Sequence, residues 1–304
     1  MSRLEEIAPR FFALASRVVA IGGGHGLAAT LESLRLLGHY PIGVVSVADD
    51  GGSSGRLREA LGQIPPGDLR RCLSSLLPLE SPWKDLLEFR FSDAELRGHA
   101  LGNLVFAGLN SLLGDPLLAA VRLGSIVAAE GMVLPASLDP VTLVGRSRNS
   151  EVSGQVRLAK TSGIREMRIV PENVRVDAAV LEAIGSATTI TFGPGSLYTS
   201  LLAVCKIPKI REALSRAPGR KLLVANLAGE SGESEGMTLS GHVEAFAELG
   251  IFMDFVLFDD SLIEVGKSDG SPKLCEWIKA PLAGETGRAH DPELLAQALL
   301  SVVL

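Results

Sequence analysis

The sequence has few cysteines, little excess charge and no long apolar run. Its three cysteines, Cys72, Cys205 and Cys275, are odd in number and widely spaced, and there is no CxxC pair. This excludes a disulfide framework and a zinc knuckle and fits a reducing compartment. The 29 basic and 35 acidic residues give a net charge of −6, with no block of one sign. A phosphate-backbone footprint is therefore missing, and nucleic acid is not an expected partner. The most apolar region, between Leu101 and Leu134, is interrupted by Asp115 and Arg122. It stays short of the ~18 residues of a membrane span, so no membrane insertion is expected. The opening MSRLEEIAPRFFALAS places Glu5 and Glu6 where a secretory leader would be basic, and Arg17 stops its apolar stretch. It reads as a peripheral helix of a cytoplasmic protein. A G-x-x-x-x-G-K-[ST] loop is lacking, which argues against a P-loop kinase.

Glycine is what the chain has in surplus: 33 in 304 residues, about 11% against roughly 7% in average usage. Such a surplus suggests tight turns and sites lined by backbone. The length allows two domains or one large α/β unit, and we read residues 1–304 as a single unit. Val18–Ile21, an amphipathic Leu27–Leu37 stretch and Ile42–Val47 form a βαβ opening with parallel strands. Pro65-Pro66 and Ser81-Pro82 mark helix starts, and Ala100–Ala129 reads as two helices broken at Gly114-Asp115-Pro116, a candidate homodimer face. Residues 132–171 turn polar and β-like, an inserted β segment or lid. The α/β rhythm then returns with an Asp177–Ile184 helix, a Thr188–Phe192 strand, a helix from Ser196, a 221–227 strand, a Leu239–Leu249 helix and a Phe255–Phe258 strand. The expected fold is α/β, a Rossmann-like, doubly wound and mostly parallel sheet with a small inserted β-rich segment.

Immediately after the first strand stands Gly22-Gly23-Gly24-His25-Gly26. The helix that follows points free N–H groups and its positive dipole end at this loop, where a phosphate fits; the plainer reading is that the glycines only close the turn. Gly24, Gly26 and Ala29 meet the dinucleotide pattern G-x-G-x-x-G/A in form. His25, inside the loop, is a candidate anion donor or acid–base group. The second strand ends in Asp49-Asp50-Gly51-Gly52-Ser53-Ser54-Gly55-Arg56. One carboxylate there can face Mg²⁺ and the other a sugar, Ser53 or Ser54 can cap the next helix, and Arg56 and Arg58 offer forked donors to a phosphate. The same residues also suit a capped turn with solvated charges. Gly193-Pro194-Gly195-Ser196 makes a second strand–glycine–helix junction for a phosphate or a carboxylate. Asn226 opens a third loop, through Gly236, where it can read a base or sugar, and Asn103 can donate into the cleft from a first helical turn. His99, in the same GHALGN string, is as much a cap or packing residue as a ligand contact. His39, His242 and His290 lack metal-ligand spacing.

Taken together, IGGGHGLAATLESL, VADDGGSSGRLREALGQIPPGDLRRCLSSL, GHALGNL and FGPGSLYTSLL resemble the gluconeogenesis-factor (YvcK-like) branch of the CofD-like, or 2-phospho-L-lactate transferase, family. The likeness runs from about Val18 to Phe258. It implies a Rossmann-like sheet with ligand at its carboxyl edge, a cytoplasmic bacterial protein, and a role in growth on gluconeogenic carbon and in cell shape. It also implies binding of nucleotide-sugars such as UDP-N-acetylglucosamine, with a regulatory protein partner reading the bound state. The CofD branch, similar in its glycine loop and paired aspartates, transfers a phospholactyl group from a nucleotide diphosphate-type donor to a deazaflavin with Mg²⁺. By this resemblance Gly23, Gly24, Gly26, Gly193 and Ser196 bind the donor and Asp49 or Asp50 serves the metal or acceptor. His25 stands where the family usually has Thr or Ser, and Ala228–Gly236 lacks its usual Thr-Gln-Pro-Gly-Glu-Thr wording. GGSSGR after the aspartates matches the gluconeogenesis-factor branch.

The expected function is a nucleotide-sugar binding regulator of carbon partition into cell-wall synthesis. The alternative is a Mg²⁺-dependent transferase, with Asp50 on the metal that bridges the diphosphate and Asp49 orienting or deprotonating an acceptor hydroxyl. NAD(P) is retained as a ligand only, because no hydride-transfer pair is recognisable.

Overall fold

The computed structural model describes residues 2–147, 150–229, 232–259, 265 and 275–303. Its strands in chain order are β1 (Val18–Gly22), β2 (Ile42–Val45), β3 (Met132–Pro135), β4 (Thr142–Arg146), β5 (Glu151–Ser153), β6 (Glu166–Val170), β7 (Thr189–Phe192), β8 (Arg220–Val224), β9 (Phe255–Phe258) and β10 (Glu276–Lys279). Seven of them form one sheet in the order β10-β9-β8-β7-β1-β2-β3, and every described pairing in it is parallel. The uncharged runs VVAI, IGVV, MVLP and TITF, rich in β-branched residues, explain this arrangement. A strand buried along its whole length, as β1, β2, β3 and β7 are, needs cover on both faces, and crossover helices supply it. One group of packed helices comprises Gly24–Leu36, Gly67–Ser75 and Pro292–Val303; another comprises Arg3–Ile7, Ala178–Ser186 and Pro208–Arg216. The chain order reverses between β1 and β7, the switch point at which open α/β sheets leave a crevice beyond the strand carboxyl ends.

Several elements depart from their sequence signals. The start of the chain is two short helices, Arg3–Ile7 and Pro9–Ala13, parted where Pro9 cannot continue the first. Glu5 belongs to a capping box with Ser2, and Leu4 and Phe11 are fully buried, so the segment is part of the core and not peripheral. The stretch 132–171 divides between two sheets. Met132–Pro135 is the edge strand of the main sheet, whereas β4, β5 and β6 form a separate antiparallel sheet in the order β5-β4-β6. Within that insert GQVRLA reads as strand but folds as a helix, Gln155–Ala159, because a carboxylate from elsewhere caps its first turn. The resemblance ends near Phe258, yet the tail continues the fold with β10 and the Pro292–Val303 helix, which packs on the Gly24–Leu36 helix. Asp291 accepts the Glu293 and Leu294 N–H groups at 2.9 and 3.0 Å and so starts that last helix. No helix among the described residues is long and apolar enough to cross a membrane.

Candidate functional site

Beyond β1 the chain turns at Gly23 and enters a helix at Gly24, and beyond β7 it turns at Gly193. The two loops are clasped together. A Cβ on Gly26 would overlap the Pro194 carbonyl, so only glycine allows the approach. The Thr30 hydroxyl then donates to the Gly193 carbonyl at 2.7 Å. The third loop joins through Asn226, whose amide accepts from the Gly195 N–H at 2.8 Å and donates to the Gly195 carbonyl at 3.1 Å. Asn226 thus positions the Gly195 turn through both of its amide atoms.

These loops border a cavity of about 450 Å³ lined by His25, Gly26, Ala29, Pro194, Gly195 and Asn226 on the sheet side. Gly287, Arg288, Ala289 and His290, from the segment after β10, also line it. His290 is held by its Nε2 at 3.0 Å from the Ala225 carbonyl oxygen, and burial depresses its pKa. His25 is likewise held below its ordinary value, by burial first and then by the Arg71 charge. A neutral His25, the first turn of the Gly24–Leu36 helix and Arg288 therefore face one space. That combination suits an anionic ligand with an apolar or polar body.

Asp68 was not singled out in the sequence, where it is only the acid of PPGDLRR. It is buried at the back of the same loop, so close that a Cβ on Gly23 would stand 2.7 Å from its Oδ2. It takes a hydrogen bond from the Gly24 N–H and an ion pair from Arg71 at 2.8 Å. Burial, and then the charge of Asp49, push its carboxyl up to about 6. Asp49 also accepts from the Gly51 N–H at 2.9 Å. The carboxylate pair that repels across this site is thus Asp49 and Asp68, and a proton or a cation relieves it. The recognisable signal was an acid at the start of a helix next to two arginines.

Other expected residues serve different ends. Asp50 accepts from the Gln155 and Val156 N–H groups, each at 2.9 Å, so its carboxylate caps the insert helix. Neither Ser53 nor Ser54 caps the Gly52–Leu61 helix, whose N-cap is Gly51. Ser53 accepts from Asn103 Nδ2 at 3.0 Å and stands 3.0 Å from His99 Nδ1. Having accepted one proton, the hydroxyl donates its own to an unprotonated Nδ1, and burial and Arg56 hold His99 below its ordinary pKa. Asn103 Oδ1 accepts from Arg70 Nε at 3.0 Å, and Arg70 pairs with Glu88, so Ser53, Asn103 and Arg70 form a buried polar chain between helices. Ser54 is buried beside Gly67. Arg56 donates to the Arg97 carbonyl at 2.7 Å and Arg58 to the Thr142 hydroxyl at 2.6 Å.

The second glycine junction does hold a carboxylate, and it is the protein's own. Glu233 reaches in and accepts from the Tyr198 and Thr199 N–H groups at 2.8 and 3.1 Å. Ser196 is the N-cap residue there, but its side chain makes no cap bond. Residues 230–231 of the third loop lie outside the described residues.

A family profile described as 2-phospho-L-lactate transferase CofD matches residues 18–273. The gluconeogenesis factor of Halalkalibacterium halodurans is 36% identical over 265 residues, 85% of this chain and 82% of that protein. A relative from Mycobacterium tuberculosis, provisionally given the same name, is 40% identical over 247 residues, 76% of this chain and 71% of its own length. A solved structure of a UPF0052-family protein from Bacillus halodurans superposes with a TM-score of 0.86 at 31% identity, covering 93% of this chain and 98% of that one.

Proposed function

The chain belongs to the CofD family, in its gluconeogenesis-factor branch, and from that premise we propose that it is a nucleotide-sugar binding regulator with its ligand in the β1/β7 crevice. One observation carries this reading: the first turn of the Gly24–Leu36 helix and Arg288 line the same cavity of about 450 Å³. The ligand's phosphates lie at the helix start, where N–H groups and the dipole favour anions, and Arg288 supplies forked donors across the gap. The base and sugar take the space along Pro194, Leu227 and Ala228. The biological role we attach to this site follows relatives that carry the name gluconeogenesis factor: the bound nucleotide-sugar reports carbon status to a protein partner, and carbon is partitioned into cell-wall precursors and cell shape accordingly.

Isothermal titration with UDP-sugars, free UDP and NAD(P) tests the reading. A UDP-sugar is expected to bind more tightly than UDP, and Arg288→Ala to weaken it by about tenfold or more, as loss of a charge-assisted contact does. The reading fails when no UDP-sugar exceeds UDP, and tighter binding of NAD(P) moves the ligand to a dinucleotide.

The Asp49–Asp68 pair favours a second reading, a Mg²⁺-dependent transferase on a nucleotide diphosphate-type donor. Two carboxylates that repel, next to a phosphate-type loop, fit a hard cation whose remaining ligands are phosphate oxygens and water. No group of three or more His, Cys, Asp or Glu that could hold a metal occurs among the described residues, so the donor must complete the set. Mg²⁺ would supply charge neutralisation on the diphosphate; Asp49 and Asp68 would hold it. Native mass spectrometry after addition of UDP-sugar and Mg²⁺ separates the readings. An unaltered complex supports the regulator and release of UMP or UDP the transferase. Asp68→Asn is expected to abolish any Mg²⁺ dependence of binding, and Asp50→Asn to leave it in place.

A further inference from the structure

A second concavity, of about 270 Å³, lies between the insert and the main body and shares no lining residue with the crevice. One wall is β6 and the chain just after it, with Arg168 and Glu172; the other is Lys206, Pro208, Arg211 and Leu249. Three of these lining residues are cations and one is an acid. Arg168 is paired, at 3.3 Å, with the exposed Glu151. Among the described residues the Lys206 and Arg211 side chains make no hydrogen bond or ion pair. Lys206 is half-buried, and burial followed by the neighbouring Arg211 charge lowers its pKa, while Glu248 and Glu166 act in the opposite direction. Exposed lysines and arginines ordinarily remain solvated and mean nothing. Here one of them is partly withdrawn from water next to a second cation, with Glu248 and Glu166 offsetting only part of the cost of its charge.

We propose that this concavity is a second ligand site, for a small phosphorylated metabolite that also carries hydroxyl groups. The phosphoryl group meets the fork of Arg211 and the point charge of Lys206, the pairing by which proteins hold oxyanions. The start of the Pro208–Arg216 helix adds the positive end of its dipole. Glu172 accepts from a hydroxyl, a role it cannot fill toward bare phosphate, and Leu249 contacts the carbon skeleton. A cavity of about 270 Å³ lies at the small end of the range of about 300–1,000 Å³ typical of ligand pockets, which favours a small metabolite over a nucleotide. Such a ligand would join the insert to the body. The insert already touches the loop that Asn226 opens, through the Ser162 hydroxyl on Glu235 at 2.5 Å, and the loop after β2, through Asp50.

The test is isothermal titration of the full chain in phosphate-free buffer with inorganic phosphate and with glucose 6-phosphate. The sugar phosphate is expected to bind more tightly than phosphate. Lys206→Met/Arg211→Gln is expected to weaken the sugar phosphate by about tenfold or more, as loss of two charge-assisted contacts requires, and Arg288→Ala in the crevice to leave it unchanged. Wild-type affinity in the double variant, loss of binding in Arg288→Ala, or no binding to the wild type at millimolar concentration each overturns the proposal. Arg211 is exposed, so Arg211→Gln alone decides the matter when the double variant does not fold. Because crevice and concavity are probed by different variants, failure of UDP-sugar binding leaves this result readable.

Discussion

The Gly24–Leu36 helix and the helix that begins at Leu197 start side by side, on loops that leave adjacent strands β1 and β7. Each has a carboxylate at its first turn, brought from a distant part of the chain. At Leu197 the arrangement is closed: Glu233 takes two N–H groups and is itself buried. At Gly24 it is open, because Asp68 takes the Gly24 N–H from behind while His25 and Gly26 remain on the cavity. A helix N-terminus attracts an anion wherever it occurs, and the fold decides whether that anion is its own side chain or a ligand. Only the junction that borders empty space is left for a ligand.

Blocking the open junction should have the largest effect. Gly24 has φ +66°, and no protein atom lies within 4 Å of where its Cβ would stand. Gly24→Val therefore puts a side chain into open space at the loop and strains the backbone by about 1–3 kcal/mol. Nucleotide affinity should fall by about a hundredfold or more, with a melting curve that shows the chain still folded. Unchanged titration of UDP-sugars by the folded variant would sink the assignment of the phosphates to this loop.

The open junction should also be the pH-sensitive one. Asp68 is raised from 3.8 to about 6, so the folded state holds a proton that the unfolded state has released between those values. Its contribution to stability is present below the unfolded value and is lost as pH rises through about 6. A shift of about two units corresponds to about 3 kcal/mol. Urea unfolding of wild type and Asp68→Asn should therefore differ by an amount that changes between about pH 4.5 and about pH 7.5, the wild type losing ground. Millimolar Mg²⁺ at the upper pH should restore the wild type and not the variant. A difference that is flat with pH would remove the Asp49–Asp68 repulsion from the account.

Opening the closed junction should cost less, because there the charge is hydrogen-bonded and the site has no ligand to lose. Glu233→Gln keeps one acceptor but gives up the charge on two N–H groups, a loss of about 1–2 kcal/mol in urea unfolding. UDP-sugar affinity should stay close to wild type. A variant as stable as wild type that gained nucleotide affinity would show that Glu233 and the ligand compete for one place, and the contrast between the junctions would collapse.

Much of this was legible because it is local. The apolar runs of β1, β2 and β7, the proline-marked helix starts and the Gly22–Gly26 loop all follow from residues close in the chain, whereas Met132–Pro135 reads with the insert although it is the edge strand of the main sheet. Partners that come from far away were not legible. Asp50 caps a helix about a hundred residues onward, and Glu233 fills a junction 35 residues back. Arg288 reaches the crevice only because the Pro292–Val303 helix packs on the Gly24–Leu36 helix. Nothing in the sequence near Asp291 places that helix against the first one. Ser53 and Asn103 looked like ligand donors because small polar residues beside a glycine loop suit that task, yet burial turned them toward each other.

The smallest expected effect follows from the same contrast. A serine at the N-cap of a helix that follows a glycine loop would ordinarily contribute about 1 kcal/mol through its hydroxyl. At Ser196 the hydroxyl makes no such bond, and the N–H groups it would serve are satisfied by Glu233. Ser196→Ala should therefore shift urea unfolding by no more than about 0.5 kcal/mol, the range of substitutions that touch no special feature. In a Glu233→Gln background the weaker acceptor leaves those N–H groups more dependent on other partners, so the same substitution should then cost more. Additive behaviour of the two changes would mean that serine and glutamate do not serve the same helix end, and that the junction is closed by something other than the Glu233 carboxylate.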